Sequence, residues 1–220
     1  MDLGLDRVAR RFQELGVQRD FPKVPAMLLG SISLSPVEVA QVYQSIAASG
    51  FRAPLRAIRD VLNTQGEPLN RYPLAVEPAS SPQAAYLLTW AMREVIQQGT
   101  ATWLKERLPK ELTVAGKTGT TNELRDSWFA GFSGDKVIVT WVGRDDNQPT
   151  GLTGGTGALR IWGDIMAGID TQPLPDYPPD GIEMVSVDRY NGRRAPKGCG
   201  RALTMPFDDD ALPTGTSDCG

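Results

Sequence analysis

Apolar residues at helical spacing open the chain. Leu5, Val8, Phe12 and Leu15 share one side of a helix that should end near Gly16. Pro22 and Pro25 mark an irregular crossing. Ser35-Pro36-Val37-Glu38 then announces a second helix: Ser35 can cap, Pro36 suits the first helical position, and Glu38 completes a capping box. Its buried stripe reads as Val39, Tyr43 and Ile46 with Ala40 and Ala47, and Gly50 ends it. Residues 57–72 read as a hairpin, with Ile58, Val61 and Leu62 before the turn signal Asn63-Thr64-Gln65-Gly66 and Leu69 after it.

Ser81-Pro82 starts another capped helix. Ala84, Leu88, Ala91 and Val95, flanked by Leu87, Met92 and Ile96, predict a wide buried stripe, and Gly99 stops it. Three strand-like runs follow at 112–121, 127–132 and 137–143. Ser133-Gly134-Asp135-Lys136 reads as a tight turn, which makes the last two runs antiparallel neighbours. A final helix over 158–169 sets Leu159, Trp162, Met166 and Ile169 at helical spacing, suited to packing on a sheet. From Gln172 to Pro179 the chain is proline-rich and extended. One strand over 182–187 and a turn at Asn191-Gly192 follow. The remainder, rich in Asp, Gly, Pro and Thr, predicts no core of its own. The boundaries expected are a main unit at 1–171 and a linker with tail at 172–220.

Composition narrows the chemistry. With 220 residues, 40% hydrophobic and 22% charged, the chain can fill the core of one domain with an appendage. A net charge of −3 with scattered Lys and Arg provides no footprint for nucleic acid and no basic face for a membrane surface. There is no histidine. That removes Ser-His-Asp triads, Cys-His dyads and His-ligated zinc, so nucleophilic chemistry would need lysine or a carboxylate as base. The two cysteines, Cys199 and Cys219, are either separate thiols or a disulfide, and their even number in a core-poor segment leans toward the bridge. No apolar run reaches the length of a membrane span. The opening residues Met1-Asp2-Leu3-Gly4-Leu5 lack the basic and apolar regions of a secretory leader. A helical pattern running uncapped from the first residue suggests that Met1 is internal to a longer protein.

The sharpest motif is Val114-Ala115-Gly116-Lys117-Thr118-Gly119-Thr120-Thr121. Gly116-Lys117-Thr118 suggests a phosphate-binding loop, but that motif needs glycine where Glu111 stands, and the segment reads as a strand rather than a loop feeding a helix. The alternative is a Lys-Thr-Gly box on an active-site strand. Lys117 would bring positive charge to a substrate carboxylate and the catalytic hydroxyls. Thr118 and Thr120 would bind that carboxylate, with Thr121 beside them, Gly119 would admit an acyl group close to the backbone, and the Thr120 N–H would serve an oxyanion hole. The tripeptide alone is a weak signal, since a polar strand with a glycine bulge would look the same. Two further strands at hairpin distance and then a helix supply the context the box requires.

The segments 24–30 and 35–40, the box 115–122, Asp126-Ser127-Trp128-Phe129-Ala130-Gly131 and Thr140-Trp141-Val142-Gly143-Arg144-Asp145 together resemble class A penicillin-binding proteins. Residues 146–150 and the tail point toward the bifunctional 1B type. The resemblance covers about residues 3–169 and, more loosely, the tail. It implies an α/β (α+β) fold, an antiparallel sheet flanked by helices and here incomplete. It also implies a peptidoglycan transpeptidase acting through a serine acyl-enzyme and needing no cofactor or metal. Its partners would be peptidoglycan stem peptides, β-lactam antibiotics and the N-terminal remainder of the same protein, on the periplasmic face of the inner membrane after an anchor and a glycosyltransferase domain. Only the third of the family's three boxes is present. Ser-x-Asn is absent, and the one literal Ser-x-x-Lys match, Ser133 to Lys136, sits in a hairpin turn rather than at a helix start. The expectation is therefore that the nucleophile and its base lie upstream and that this chain alone does not acylate.

Two alternatives accompany that reading. One is a β-lactamase, which shares the box. The other is a non-catalytic binding module that kept only the sheet. Trp128, Phe129 and Trp141 read as packing rather than a substrate platform, and Asp126 as a turn cap. Glu123 and Asp126 stand in a polar loop unsuited to paired acid–base work. The glycines at 151, 154, 155 and 157 read as either a mobile loop near the cleft or a flexible connection, with the balance slightly toward the loop.

Overall fold

The computed structural model describes residues 4–219; the reading of residues 1–3 falls outside them. The architecture is mixed: small antiparallel sheets flanked by helices, as expected. Helix α1 spans Leu5–Glu14 and a 3-10 turn Pro25–Leu29. Helix α2, Pro36–Ala47, carries the full capping box: Glu38 N donates to Ser35 Oγ, and Ser35 N donates to the Glu38 carboxylate at 2.8 Å. The short strands β1 (Phe51–Arg52) and β4 (Glu77–Pro78) pair with each other, and between them β2 (Asp60–Leu62) and β3 (Pro68–Arg71) form the expected hairpin. Helix α3 runs Pro82–Gln97, followed by a single turn, α4, at Leu104–Arg107.

The central sheet has the order β5-β6-β7, with β5 at Ala115–Thr120, β6 at Ser127–Phe132 and β7 at Val137–Val142, all antiparallel. Helix α5, Ala158–Gly168, covers one face of it. Trp162 of α5 meets Phe129 of β6 edge-on, with centroids 5.0 Å apart, and both are fully buried with Leu159, Met166 and Leu104 around them. The other face packs on α2, α3 and the segment after α1 through Val17, Val42, Ile46, Met92, Ala115 and Phe132. Gly116 and Gly131 stand opposite each other in the ladder, and the Phe129 ring lies across both. A side chain at either position would occupy the space of that ring.

Three details depart from the sequence expectations. In α3 the buried residues are Ala85, Met92 and Ile96, while Ala84, Leu88 and Ala91 are exposed. The helix meets the sheet on a face one position round from the one expected. In α2 the expected stripe is joined by Gln41, Val42 and Ser45, buried because the Ser45 hydroxyl donates to the Leu15 carbonyl and Gln41 bonds the backbone at Ala53 and Leu55. The hairpin forms, but Ile58, Val61, Leu62 and Leu69 remain exposed.

The tail holds more than one strand. Strand β8, Ile182–Asp188, pairs along its length with β9, Ala202–Asp208, burying Val185 and Val187. Cys199 and Cys219 are joined in a disulfide. At its centre Asp188 is fully buried and accepts from the Ser217 hydroxyl at 2.6 Å, Tyr190 N at 3.0 Å and Arg201 Nε at 3.0 Å. Those donors, Ser217 foremost, hold its carboxyl below the usual carboxylate range. The expectation of a coreless tail is thus corrected: a buried charge network and a bridge organise it where apolar periodicity is thin. The segment before it, 172–179, is extended and pinned to the β6–β7 turn, the start of β5 and α3. Gly134 N donates to Gln172 O, Leu174 N donates to Thr113 O, and Arg93 pairs with Asp176. No helix among the described residues is long and apolar enough to cross a membrane.

Candidate active site

Strand β5 lies at the edge of its sheet. Its N-terminal half is anchored, with Val114, Ala115 and Gly116 buried beneath the helices. Beyond Gly116 the strand rises to the surface. Thr121 N donates to Asp126 O at 3.1 Å, continuing the β5–β6 register by one pair. In an antiparallel ladder, backbone groups alternate in direction. The amides of 115, 117, 119 and 121 therefore point at β6, and those of Gly116, Thr118 and Thr120 point out of the sheet. The Thr120 N–H is thus directed to the open edge.

The side chains converge on that edge from both faces. Lys117 stands opposite Ala130 on the same face as Ala115, and its exposed ammonium curls back to donate to Thr118 O at 3.0 Å and Thr118 Oγ1 at 3.4 Å. Thr118 and Thr120 emerge on the other face. Thr118 Oγ1 lies 2.6 Å from Thr100 Oγ1. Thr120 Oγ1 accepts the Gly154 N–H at 2.9 Å, so its own proton remains to donate. One cation, two hydroxyls and an outward N–H share one stretch of open strand. An extended peptide with a terminal carboxylate could add alongside as a further strand, its carboxylate met by these donors.

Of the residues singled out in the sequence, Lys117, Thr118 and Thr120 come together, with Gly119 between them. A Cβ on Gly119 would lie 3.1 Å from Trp128 Cβ, so the glycine also accommodates the tryptophan below. Thr121 is not brought into the group. Its hydroxyl donates to Asp126 Oδ2 at 3.0 Å and accepts Asp126 N at 2.8 Å. Asp126 does cap that turn, and it also accepts from Trp141 Nε1 at 3.0 Å. Glu123 pairs with Arg125 instead, so the two carboxylates have separate partners. Phe129 is core, whereas Trp141 is 42% exposed and stacks obliquely on Trp128 at 6.2 Å.

The Ser133 hydroxyl is buried against Thr171, and Ser133 N donates to Lys136 O across the turn, while the Lys136 ammonium pairs with Asp135. This serine is a structural latch. Asp135 accepts from Gln172 N, Lys136 and Thr171, which holds its carboxyl far below the usual range. Cys199, Cys219 and Asp188 bring sulfur and carboxylate together, but the sulfurs are bonded to each other and present no thiolate pair to a metal.

Sequence reasoning missed Thr100 and Ser127. Ser127 is fully buried; its hydroxyl donates to Thr153 O at 2.7 Å and accepts Ala158 N at 2.8 Å, fastening the glycine-containing loop and the start of α5 to β6. Gly154 is buried against the backbone of Gly119 and Trp128, so this loop is packed beside the site. Neither residue has a local signature: Ser127 looks like any strand-starting serine, and Thr100 like any residue after a helix.

Comparison with known proteins locates this arrangement in a family. The model described as the penicillin binding protein transpeptidase domain matches residues 21–167. Penicillin-binding protein 1B of Escherichia coli is 46% identical over 206 residues, covering 93% of this chain and 24% of that protein. Penicillin-binding protein 1B of Vibrio cholerae is 42% identical over 211 residues, covering 96% and 27%. The chain spans about a quarter of the length of these relatives. The crystal structure of penicillin-binding protein 1A from Haemophilus influenzae superposes with a TM-score of 0.85 over 97% of this chain and 38% of that one, at 24% identity, a likeness of fold.

Proposed function

The chain belongs to the penicillin-binding protein transpeptidase family, and on that premise we propose that it forms the carboxylate-recognising wall of a serine D,D-transpeptidase that cross-links peptidoglycan stem peptides and is acylated by β-lactams. The observation that carries this is the convergence of Lys117, Thr118, Thr120 and the Thr120 N–H on the open edge of β5. In that reaction a serine oxygen attacks the penultimate D-alanine carbonyl, the C–N bond to the terminal D-alanine breaks, and that amine leaves with a proton. An amine of a neighbouring stem peptide then takes the acyl group and returns the proton to the serine. Lys117 and the two threonine hydroxyls hold the terminal carboxylate. The Thr120 N–H supplies one oxyanion donor as charge develops on the carbonyl oxygen.

The nucleophile and its lysine belong to residues outside these 220. Ser133, the one serine spaced from a lysine as the family's nucleophile is, has its hydroxyl committed to Thr171. The complete protein would also carry the glycosyltransferase activity and membrane anchor of the 1B type and act in the periplasm. Fluorescent penicillin tests both parts. The chain alone should give no labelled band after denaturation, and a band would refute the placement of the nucleophile elsewhere. The same chain grafted in place of the matching 206 residues of Escherichia coli penicillin-binding protein 1B should restore labelling. Lys117→Ala in the graft should slow it by about 100-fold or more, the scale on which one preorganised electrostatic donor acts. A graft indifferent to Lys117→Ala would refute the site.

A further inference from the structure

Thr100 belongs to no motif, yet its hydroxyl makes the shortest polar contact at the β5 edge, 2.6 Å to Thr118 Oγ1. Its position is set by the end of α3. The chain turns at Gly99, where a Cβ would lie 2.8 Å from Val95 Cα and 2.9 Å from Val95 O, and Ala101 N then donates back to Val95 O at 3.1 Å. Thr100 is thereby laid over the edge of the strand. Gly155 backs it from the loop, close enough that a Cβ there would be 3.3 Å from Thr100 O.

The consequence lies in proton direction. A hydroxyl has one proton to give and two lone pairs to receive. The Lys117 ammonium can only donate, so it takes one lone pair of Thr118 Oγ1. If Thr118 gave its proton to Thr100, nothing would remain for a carboxylate. If Thr100 gives its proton to Thr118, the second lone pair is filled and the Thr118 proton is left to point outward. An ionised carboxylate only accepts, and it selects the second arrangement. We propose that Thr100 is a positioning residue of the carboxylate subsite, donating to Thr118 Oγ1 so that the Thr118 O–H is presented to the terminal carboxylate of the peptide. This rests on the reading of the β5 edge given above and adds a residue that the Lys-Thr-Gly box does not contain.

The test uses the 220-residue chain, isotope-labelled and titrated by NMR with N-acetyl-D-alanyl-D-alanine and with its C-terminal amide, which has the same shape without the negative charge. The wild type should prefer the acid. Thr100→Val should cut that acid-over-amide preference by about five- to tenfold, the worth of one hydrogen bond to a charged group felt through a neighbour, and Thr100→Ser should retain it. Lys117→Ala should cut the preference further than Thr100→Val does, leaving only the share of the threonine hydroxyls. A wild type that does not distinguish acid from amide, or a Lys117→Ala chain with the full wild-type preference, overturns the reading of the site and the proposal with it. With the Lys117 arm as expected, a Thr100→Val chain of unchanged preference overturns the proposal alone. Equal weakening of acid and amide does so too, since it marks a structural role.

Discussion

Gly116→Ala tests the account of how β5 is seated. The new Cβ would stand 2.6 Å from Phe129 Cζ, 2.9 Å from Phe129 Cε1 and 2.8 Å from Ala130 O. None of these can easily retreat. Ala130 O faces β5 within the ladder, and Phe129 is fully buried between Gly131 below and Trp162 beside it. Overpacking of this kind costs about 1–3 kcal/mol, and a backbone oxygen among the clashing atoms argues for the upper end. Replacing glycine also removes freedom from the unfolded chain, which offsets about 0.4–1 kcal/mol. A net loss of about 2 kcal/mol should lower the melting temperature by roughly 4–8 °C in a domain of this size. Thermal unfolding followed by circular dichroism measures it. A cycle with Phe129→Leu separates causes. The leucine withdraws the ring atoms that collide, so the double mutant should be at least about 1 kcal/mol more stable than the sum of the single losses, with the Ala130 O clash persisting. A Gly116→Ala protein as stable as wild type, or a cycle additive within about 0.5 kcal/mol, would refute the packing argument.

Other perturbations follow from the same contacts. Ser35→Ala removes the capping box of α2 and should cost about 1 kcal/mol in urea unfolding. Replacing Cys199 and Cys219 by serine opens a 20-residue loop and should destabilise the tail by about 3 kcal/mol on the chain-entropy estimate, seen as earlier protease cleavage within 180–219 than in the main unit. Tyr43 is pushed up to about 12 by burial, from an ordinary 10.0. The stability it contributes is complete below the unfolded value and is lost as pH rises from 10 toward 12, so Tyr43→Phe should flatten the alkaline limb of a stability–pH profile. Asp188 is shifted the other way by Ser217, Tyr190 N and Arg201, so its contribution is present above the ordinary 3.8 and is lost as pH falls below that value; Asp188→Asn should remove that acid-side dependence for the tail.

Legibility followed the range of the interactions. The start of α2 was readable because Ser35, Pro36 and Glu38 act on one another within a single turn. The β6–β7 pairing was readable because a short turn leaves antiparallel pairing as the available geometry. The face of α3 was not. Apolar residues stand all around that helix, and Ala84-Leu88-Ala91 is as good a stripe as Ala85-Met92-Ile96. The choice was made by the side on which β5 and Ala115 lie, and no residue of the helix records it. Strand β9 was missed for a similar reason. Pro206 interrupts its pattern, and its register is held by β8 and reinforced by the bridge and the Asp188 hub.

The site itself divides along the same line, and its glycines make the point most sharply. In the sequence, Gly119 reads as clearance for a ligand. In the fold, both glycines of the box are already accounted for from within the protein: Gly116 by the Phe129 ring, Gly119 by Trp128 Cβ at 3.1 Å. In a Gly119→Ala chain Trp128 would have to give by a few tenths of an ångström. Loss of activity in that variant would therefore mix this shift with any effect on a bound acyl group. The groups left for recognition are the Lys117 ammonium, held only by Thr118, the Thr118 hydroxyl shared with Thr100, the Thr120 proton and the outward N–H of Thr120. Packing has no use for a cation curled against an open strand edge or for hydroxyl protons directed away from the core. An edge strand left unpaired, with no proline to interrupt it, is a liability unless something binds there. On the function proposed above, those donors would suit an extended chain that ends in a negative charge.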